Sequence, residues 1–396
     1  MRHCNIPIFI PHLGCPYDCI YCDQKKISAQ IKAPDDQEIL PIIDQHLATI
    51  VRPAEIEAAF FGGSFTAIRP DLQENYLRLV QPYIKQGLIQ GIRISTRPDC
   101  IDDQVLELLH RYGVTTIELG VQSLDNEVLR QSGRIYTAEE VERSSGLIKS
   151  GGFQLGIQLM VGLPGDNYDR DLATARRTVA LAPQMVRIYP TLVLAGTKLE
   201  QMWQDGKYQA LTLEEAVPVC RDMLLQFAKA GIPVIRMGLY PGEELRKEGT
   251  VMAGPFHPSF GELVEQAVFR EQAIMAVRLY QQHFAHGEHL TLCINERDLS
   301  KLLGKKRSNL ISIQHSLGLQ GLNVITFRHE ERDWIGIGND PAGVDKFVLT
   351  RSEFLNSPNE TSCRRQDFQA QKTNLSSDLY TGGPVFVSKE TGDKRI

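Results

Sequence analysis

Cys15, Cys19 and Cys22 stand at CxxxCxxC spacing within Gly14-Cys15-Pro16-Tyr17-Asp18-Cys19-Ile20-Tyr21-Cys22, directly after an apolar run at residues 6–10. Thiolates so close in sequence can turn toward one site from a single loop. Soft anionic sulfur of this kind holds either an iron–sulfur cluster or zinc. Three ligands suit a 4Fe–4S cluster with one iron left open to bind a substrate or cofactor. A structural zinc requires a fourth ligand, for which His3, Cys4 and His12 are the local candidates. His12 reads more simply as a core histidine or one placed behind the ligands. Cys4, Cys100, Cys220, Cys293 and Cys363 are isolated and read as ordinary thiols.

Such a loop needs a scaffold, and the sequence supplies one by alternation. Short β-branched and apolar runs fall at residues 6–11, 56–61, 92–96, 115–121, 155–163 and 186–194. Between them lie stretches with helical spacing at 38–50, 72–84, 103–111, 138–149 and 170–181, with a sixth at 211–231. Strand–helix units in succession predict a parallel sheet whose crossovers run through helices. The fold class is α/β: an incomplete (β/α)6 TIM-type barrel, followed by a smaller C-terminal α+β unit.

The polar and glycine-rich residues collect where each strand ends. After the first strand come the cysteines, and after the second Gly62-Gly63-Ser64-Phe65-Thr66. The third leads to Ser95-Thr96-Arg97-Pro98-Asp99 and the fourth to Gln122-Ser123. The fifth carries Gln158 and ends in Gly162-Leu163-Pro164-Gly165; the sixth leads to Tyr189-Pro190-Thr191. A β/α barrel gathers all these loops on the one rim that carries its chemistry.

Beyond a strand-like run at 232–237, a long helix is expected over 260–283. A smaller unit follows, with strands at 290–294, 322–327 and 334–337 and helical stretches at 298–303 and 310–317. The expected division is a partial barrel over 1–240, a helical and α+β unit over 241–350, and a polar, disordered tail over 351–396. The chain has 396 residues, 42% hydrophobic and 23% charged, with net charge −5. That is the composition of a globular protein and excludes a disulfide-stapled scaffold. No apolar segment reaches the length of a membrane span, and no secretory leader is recognisable. The expected location is cytoplasmic, with no membrane partner.

With Tyr21 before the last cysteine and Gly62-Gly63-Ser64 some 40 residues on, the cysteine loop resembles the radical S-adenosylmethionine superfamily. The resemblance is nearer to the branch containing the Elongator catalytic subunit, and more distant to the anaerobic coproporphyrinogen oxidases. It is carried by 61–67, 95–99, 118–123 and 196–208, together spanning residues 6–208, half the chain. The Elongator ligand spacing is usually longer than CxxxCxxC. The region after Tyr208 also carries no glycine-rich acetyl-CoA loop, so the resemblance is to the radical core without its acetyltransferase domain.

The resemblance implies an enzyme. Cys15, Cys19 and Cys22 would ligate a 4Fe–4S cluster whose open iron chelates S-adenosylmethionine. Gly62, Gly63 and Ser64 would approach the methionyl amine, Arg134 its carboxylate, and Ser95 the sulfonium end. Gln122 and Gln158 would contact the ribose, Tyr21 the adenine, and Gly162 and Pro190 the adenosine. A one-electron donor such as flavodoxin or ferredoxin would reduce the cluster. Cleavage would give a 5′-deoxyadenosyl radical that abstracts hydrogen from a substrate, with tRNA the first candidate. The competing readings are a coproporphyrinogen-oxidase-like haem handler and a non-catalytic, zinc-stabilised RNA-binding protein, the latter drawing on Lys301, Lys305, Lys306 and Arg307.

Overall fold

In the computed structural model, residues 2–10, 15, 19–23, 32–284, 288–338 and 347–357 are described; His12, Cys363 and the tail from 358 onward lie outside them. The chain divides into two compact units, Met1–Gly261 and Glu262–Ile396.

The first unit is built on seven parallel strands. They are β1 (Arg2–Phe9), β2 (Ala54–Phe61), β3 (Gly91–Thr96), β4 (Val114–Gln122), β5 (Gln154–Val161), β6 (Met185–Pro190) and, after a short β7 (Val193–Leu194), β8 (Val234–Met237). Their order in the sheet is β1-β2-β3-β4-β5-β6-β8, the order of the chain, without the reversal of a doubly wound sheet. Right-handed crossovers that never reverse direction place every connecting helix on the same side. The sheet therefore curls into a half-barrel with helices outside and an open lumen within.

The strands show why. Ile92, Ile94, Ile117, Leu119, Leu155, Ile157, Val186 and Ile188 face the helices and are fully buried. Each such side chain stabilises the layer by about 1.5–3 kcal/mol. Alternate residues, among them Arg93, Ser95, Glu118, Gln158 and Arg187, face the lumen, since successive side chains leave a strand on opposite sides. The crossovers are the helices Asp36–Thr49, Pro70–Lys85, Asp103–Arg111, Ala138–Ser150, Tyr168–Leu181 and Leu213–Lys229. Five of these six begin at a side-chain cap, respectively Asp35, Asp102, Thr137, Asn167 and Thr212, with Pro70–Lys85 the exception.

Three details differ from the sequence expectation. The run at 232–237 joins the sheet as a seventh strand. The run at 186–194 is two strands, because the chain turns at Thr191, whose hydroxyl bonds the Val161 carbonyl at 2.8 Å; β7 then pairs antiparallel with β9 (Val251–Ala253). Short helices Asn126–Gln131 and Lys198–Gln204 are inserted at the rim.

The second unit holds most of the helix Phe260–His283 and a mixed sheet. Its strands β10 (His289–Asn295), β11 (Gly321–Phe327), β12 (Trp334–Gly338) and β13 (Val348–Thr350) run in the order β11-β10-β12-β13. Helices Leu299–Leu303 and Ser308–Leu317 connect β10 to the parallel β11. Residues 351–356, expected to open the tail, instead form the helix Arg351–Asn356, held by a capping box between Thr350 and Glu353. Among the described residues, no helix is long and apolar enough to cross a membrane.

Candidate functional site

Cys15, Cys19 and Cys22 follow β1 as half-buried free thiols. The Cys22 N–H donates to the Cys19 carbonyl at 3.0 Å, turning the loop tightly. Ile20 ties that turn to the rim: its N–H reaches the Ser132 carbonyl at 3.5 Å, and its own carbonyl accepts from the Leu199 N–H at 2.8 Å. Tyr21, only 8% exposed, packs among Val128, Leu163, Val193, Leu199 and Tyr208. The backbone N–H of Ser64 is directed at the Cys15 sulfur. The loops after β1, β2, β4, β5 and β6 thus meet around the cysteines.

The electrostatics of the thiols are set by burial and by two arginines. Burial and the neighbouring Cys19 push the Cys15 thiol up, and push Cys22 up to about 12. Arg134 works in the opposite direction on both, and Arg97 joins it on Cys15. Three adjacent thiolates are tenable only with cationic charge between them, which a bound metal centre supplies. Among the described residues no group of three or more His, Cys, Asp or Glu side chains closes on a single point.

Arg134 follows the helix Asn126–Gln131. Its Nε donates to the Tyr21 hydroxyl at 2.9 Å and its Nη2 to the same oxygen. Its guanidinium carbon lies 5.6 Å from the ring centres of both Tyr21 and Tyr136. Tyr136 is fixed in turn by donating to the Gly120 carbonyl at 2.6 Å. Among the described residues no carboxylate pairs with Arg134. A guanidinium held against two aromatic rings beside the cysteines, with no counter-ion among the described residues, is chemically able to pair with a carboxylate.

Gly62 has φ 104°, which excludes a β-carbon at this turn without strain and bares the backbone there. Ser64 Oγ lies 3.2 Å from Thr96 Oγ1, joining the ends of β2 and β3. Gln122 is buried and left-handed (φ 67°) at a register shift between β4 and β5, a strained geometry for a non-glycine residue. Gly63 and Pro190 also sit at strand ends on the rim. Gly162 (φ 75°) is a structural turn: a β-carbon there would lie 2.6 Å from Leu211, and its carbonyl accepts from Tyr208 at 2.7 Å.

Ser95 and Gln158 lie in the lumen and meet each other. Gln158 Nε2 donates to Glu118 Oε2 at 2.8 Å and approaches Ser95 Oγ at 3.4 Å. Glu118 also accepts from Arg93 Nη1 at 2.7 Å and from Arg187 Nε at 2.8 Å, and Arg93 bonds Glu57 at 2.6 and 2.8 Å. Glu57 further accepts from Thr115, Thr116 and His3 at 2.6–2.9 Å. Burial pushes both carboxyls up, but Arg93, with Arg187 at Glu118, wins and holds them below the ordinary range. None of these ions stands among the site residues expected from the sequence. The signal for them is nevertheless there: Ile92-Arg93-Ile94, Ile117-Glu118-Leu119 and Val186-Arg187-Ile188 each place a charge between two aliphatic residues.

Residues 9–177 match the model of the Radical SAM superfamily, and 183–270 that of the Radical_SAM C-terminal domain. The tRNA uridine(34) acetyltransferase of Methanocaldococcus infernus is 34% identical over 143 residues, covering 35% of this chain and 26% of that protein. Human Elongator complex protein 3 is 29% identical over 191 residues, covering 43% and 35% respectively. The matched stretch is thus no more than about a third of these relatives' length. The solved structure of the archaeal Methanocaldococcus infernus Elp3, lacking residues 1–46, shares the fold with TM-score 0.53 at 21% identity, over 73% of this chain and 70% of that one.

Proposed function

We propose that this chain, which belongs to the radical S-adenosylmethionine superfamily, holds a 4Fe–4S cluster through Cys15, Cys19 and Cys22, binds S-adenosylmethionine beside it, and acts on tRNA. The observation that carries the reading is Arg134, clamped between Tyr21 and Tyr136 at the cysteine loop with no carboxylate of its own among the described residues. When bound, the cluster supplies the electron that cleaves the cofactor's sulfonium and so starts radical chemistry at the substrate.

The chain's residues do the positioning. Arg134 takes the methionyl carboxylate, and the backbone at Gly62, Gly63 and Ser64 takes its amine. Ser95 lies toward the sulfonium; Gln122 and Gln158 take the ribose hydroxyls. Tyr21 flanks the adenine, with Gly162 and Pro190 at the adenosine. Closely packed apolar groups around Tyr21 keep water from the site. A flavodoxin or ferredoxin is the proposed electron donor, and the cytoplasm the place of action.

The tRNA assignment draws on the relatives named as tRNA uridine(34) acetyltransferases. In the second unit, Lys305, Lys306 and Arg307 form a basic turn before the helix Ser308–Leu317. The test is a salt titration of labelled tRNA binding to wild type and to the variant with all three changed to glutamine. The variant's slope of log affinity against log salt should be shallower by roughly one for each phosphate it no longer neutralises. Equal slopes would clear the turn of a role, and no binding at low salt would remove tRNA as substrate.

A further inference from the structure

The lumen wall past Gln158 carries side chains that the cofactor site does not use. Arg187 on β6 is the register partner of Gln158 on one side and of Arg236 on β8 on the other. Register partners in a parallel sheet leave from the same face, so Arg236 projects from the lumen wall. Arg187 is engaged: Nε and Nη2 hold both oxygens of Glu118 at 2.8 and 2.9 Å. Tyr189, two residues on, shares a hydrogen bond with Arg187 and lies in the field of Arg236.

Arg236 is different. Its Nε donates to the Gly238 carbonyl at 3.1 Å, and its guanidinium carbon lies 5.6 Å from the Tyr240 ring. Among the described residues it has no carboxylate partner, although it is half-buried. In the network, Arg93 and Arg187 are matched by Glu57 and Glu118. The charge of Arg236 is the one left over among these three arginines. Its position on the last strand puts this excess at the open edge of the half-barrel.

We propose that Arg236, with the Tyr189 hydroxyl, forms an oxyanion subsite for the substrate, and that the group it takes is a nucleotide phosphate. A guanidinium fork and, on the same lumen face of β6, a phenol are both donors suited to phosphate oxygens. Seating the anion at the open edge lets a polymer backbone pass outside while its base enters the lumen toward the cofactor. The choice of phosphate over carboxylate rests on the tRNA reading; the subsite itself does not.

Equilibrium dialysis of the anaerobically reconstituted protein with labelled uridine 5′-monophosphate and labelled uridine tests this. Wild type should hold the monophosphate at least tenfold more tightly, and Arg236→Gln should abolish that preference. Tyr189→Phe should reduce it, and Arg236→Lys should retain part of it. Circular dichroism melting establishes that each variant is folded. Equal affinity for the two ligands in wild type, or an undiminished preference in a folded Arg236→Gln, would overturn the subsite. Competition by acetate but not by inorganic phosphate would overturn the assignment to phosphate. A preserved monophosphate preference in a protein that binds no tRNA would leave the subsite standing and remove the tRNA reading alone.

Discussion

Replacing Glu118 by glutamine keeps the side chain's shape and removes its charge at the centre of the lumen network. Its carboxylate, 1% exposed, accepts four hydrogen bonds: from Arg93 Nη1 at 2.7 Å, from Arg187 Nε and Nη2 at 2.8 and 2.9 Å, and from Gln158 Nε2 at 2.8 Å. In the variant, one of the two oxygens becomes an amide nitrogen whose donors face donors. Breaking a buried ion pair from one side costs about 3–5 kcal/mol. Arg93 retains Glu57, so the low end, about 3 kcal/mol, is expected here. For a unit of this size, that lowers the melting midpoint by roughly 6–12 °C. The assay is thermal unfolding by circular dichroism, with Glu127→Gln as control. Glu127 pairs with Arg130 in solvent, where screening leaves little to lose. The acid side gives a second reading. The Glu118 and Glu57 carboxyls are lowered from 4.5, so their stabilisation is present above that value and fades as pH falls through the lower folded values. Glu118→Gln should lose part of this acid sensitivity. A midpoint within about 1 °C of wild type, with unchanged acid sensitivity, would refute the idea that the network is held by its charges.

Two further outcomes follow from particular side chains. Arg134→Ala should weaken S-adenosylmethionine binding by roughly 2–5 kcal/mol, measured by calorimetry, because the cofactor carboxylate loses its charged partner; equal affinity would remove Arg134 from the site. At the Gly162–Gly165 turn, burial and the neighbouring carboxylates push Asp166 up to about 6 and raise Asp171. A raised carboxyl contributes most below its unfolded value, and that contribution is lost as pH rises through about 6. Wild type should therefore lose stability between about pH 4 and pH 7, and Asp166→Asn should lose less; parallel melting curves in both proteins would contradict the pairing.

The strand–helix alternation is legible in the sequence because most of the long strands carry an apolar face and most crossover helices begin at a short polar cap. What escapes is short or non-local. β8 has only four residues, follows Pro233 and buries neither face completely, so its run does not read as a member of the sheet. The helices Asn126–Gln131 and Lys198–Gln204 are too short for an amphipathic repeat, although Asp125 and Thr197 cap them. The helix Arg351–Asn356 lies behind a readable Thr-x-x-Glu box at the edge of a polar tail. At the site, the cysteines, Tyr21 and the paired glycines are legible as a local pattern. The Arg134–Tyr21 contact joins residues 113 positions apart, and the Glu118 network spans β2 to β6. Such contacts exist only once register is set, and register is a property of the sheet rather than of any one segment.

The central claim, that Cys15, Cys19 and Cys22 hold a cluster open to the cofactor, is tested most directly by spectroscopy with metal analysis. Anaerobically reconstituted protein is assayed for iron and zinc, reduced with dithionite, and its EPR spectrum is recorded with and without S-adenosylmethionine. About four irons per chain are expected, with a reduced-cluster signal that changes shape when the cofactor is added, and both should be lost in the triple cysteine-to-alanine variant. About one zinc per chain without iron, or a cluster signal indifferent to S-adenosylmethionine, would contradict it.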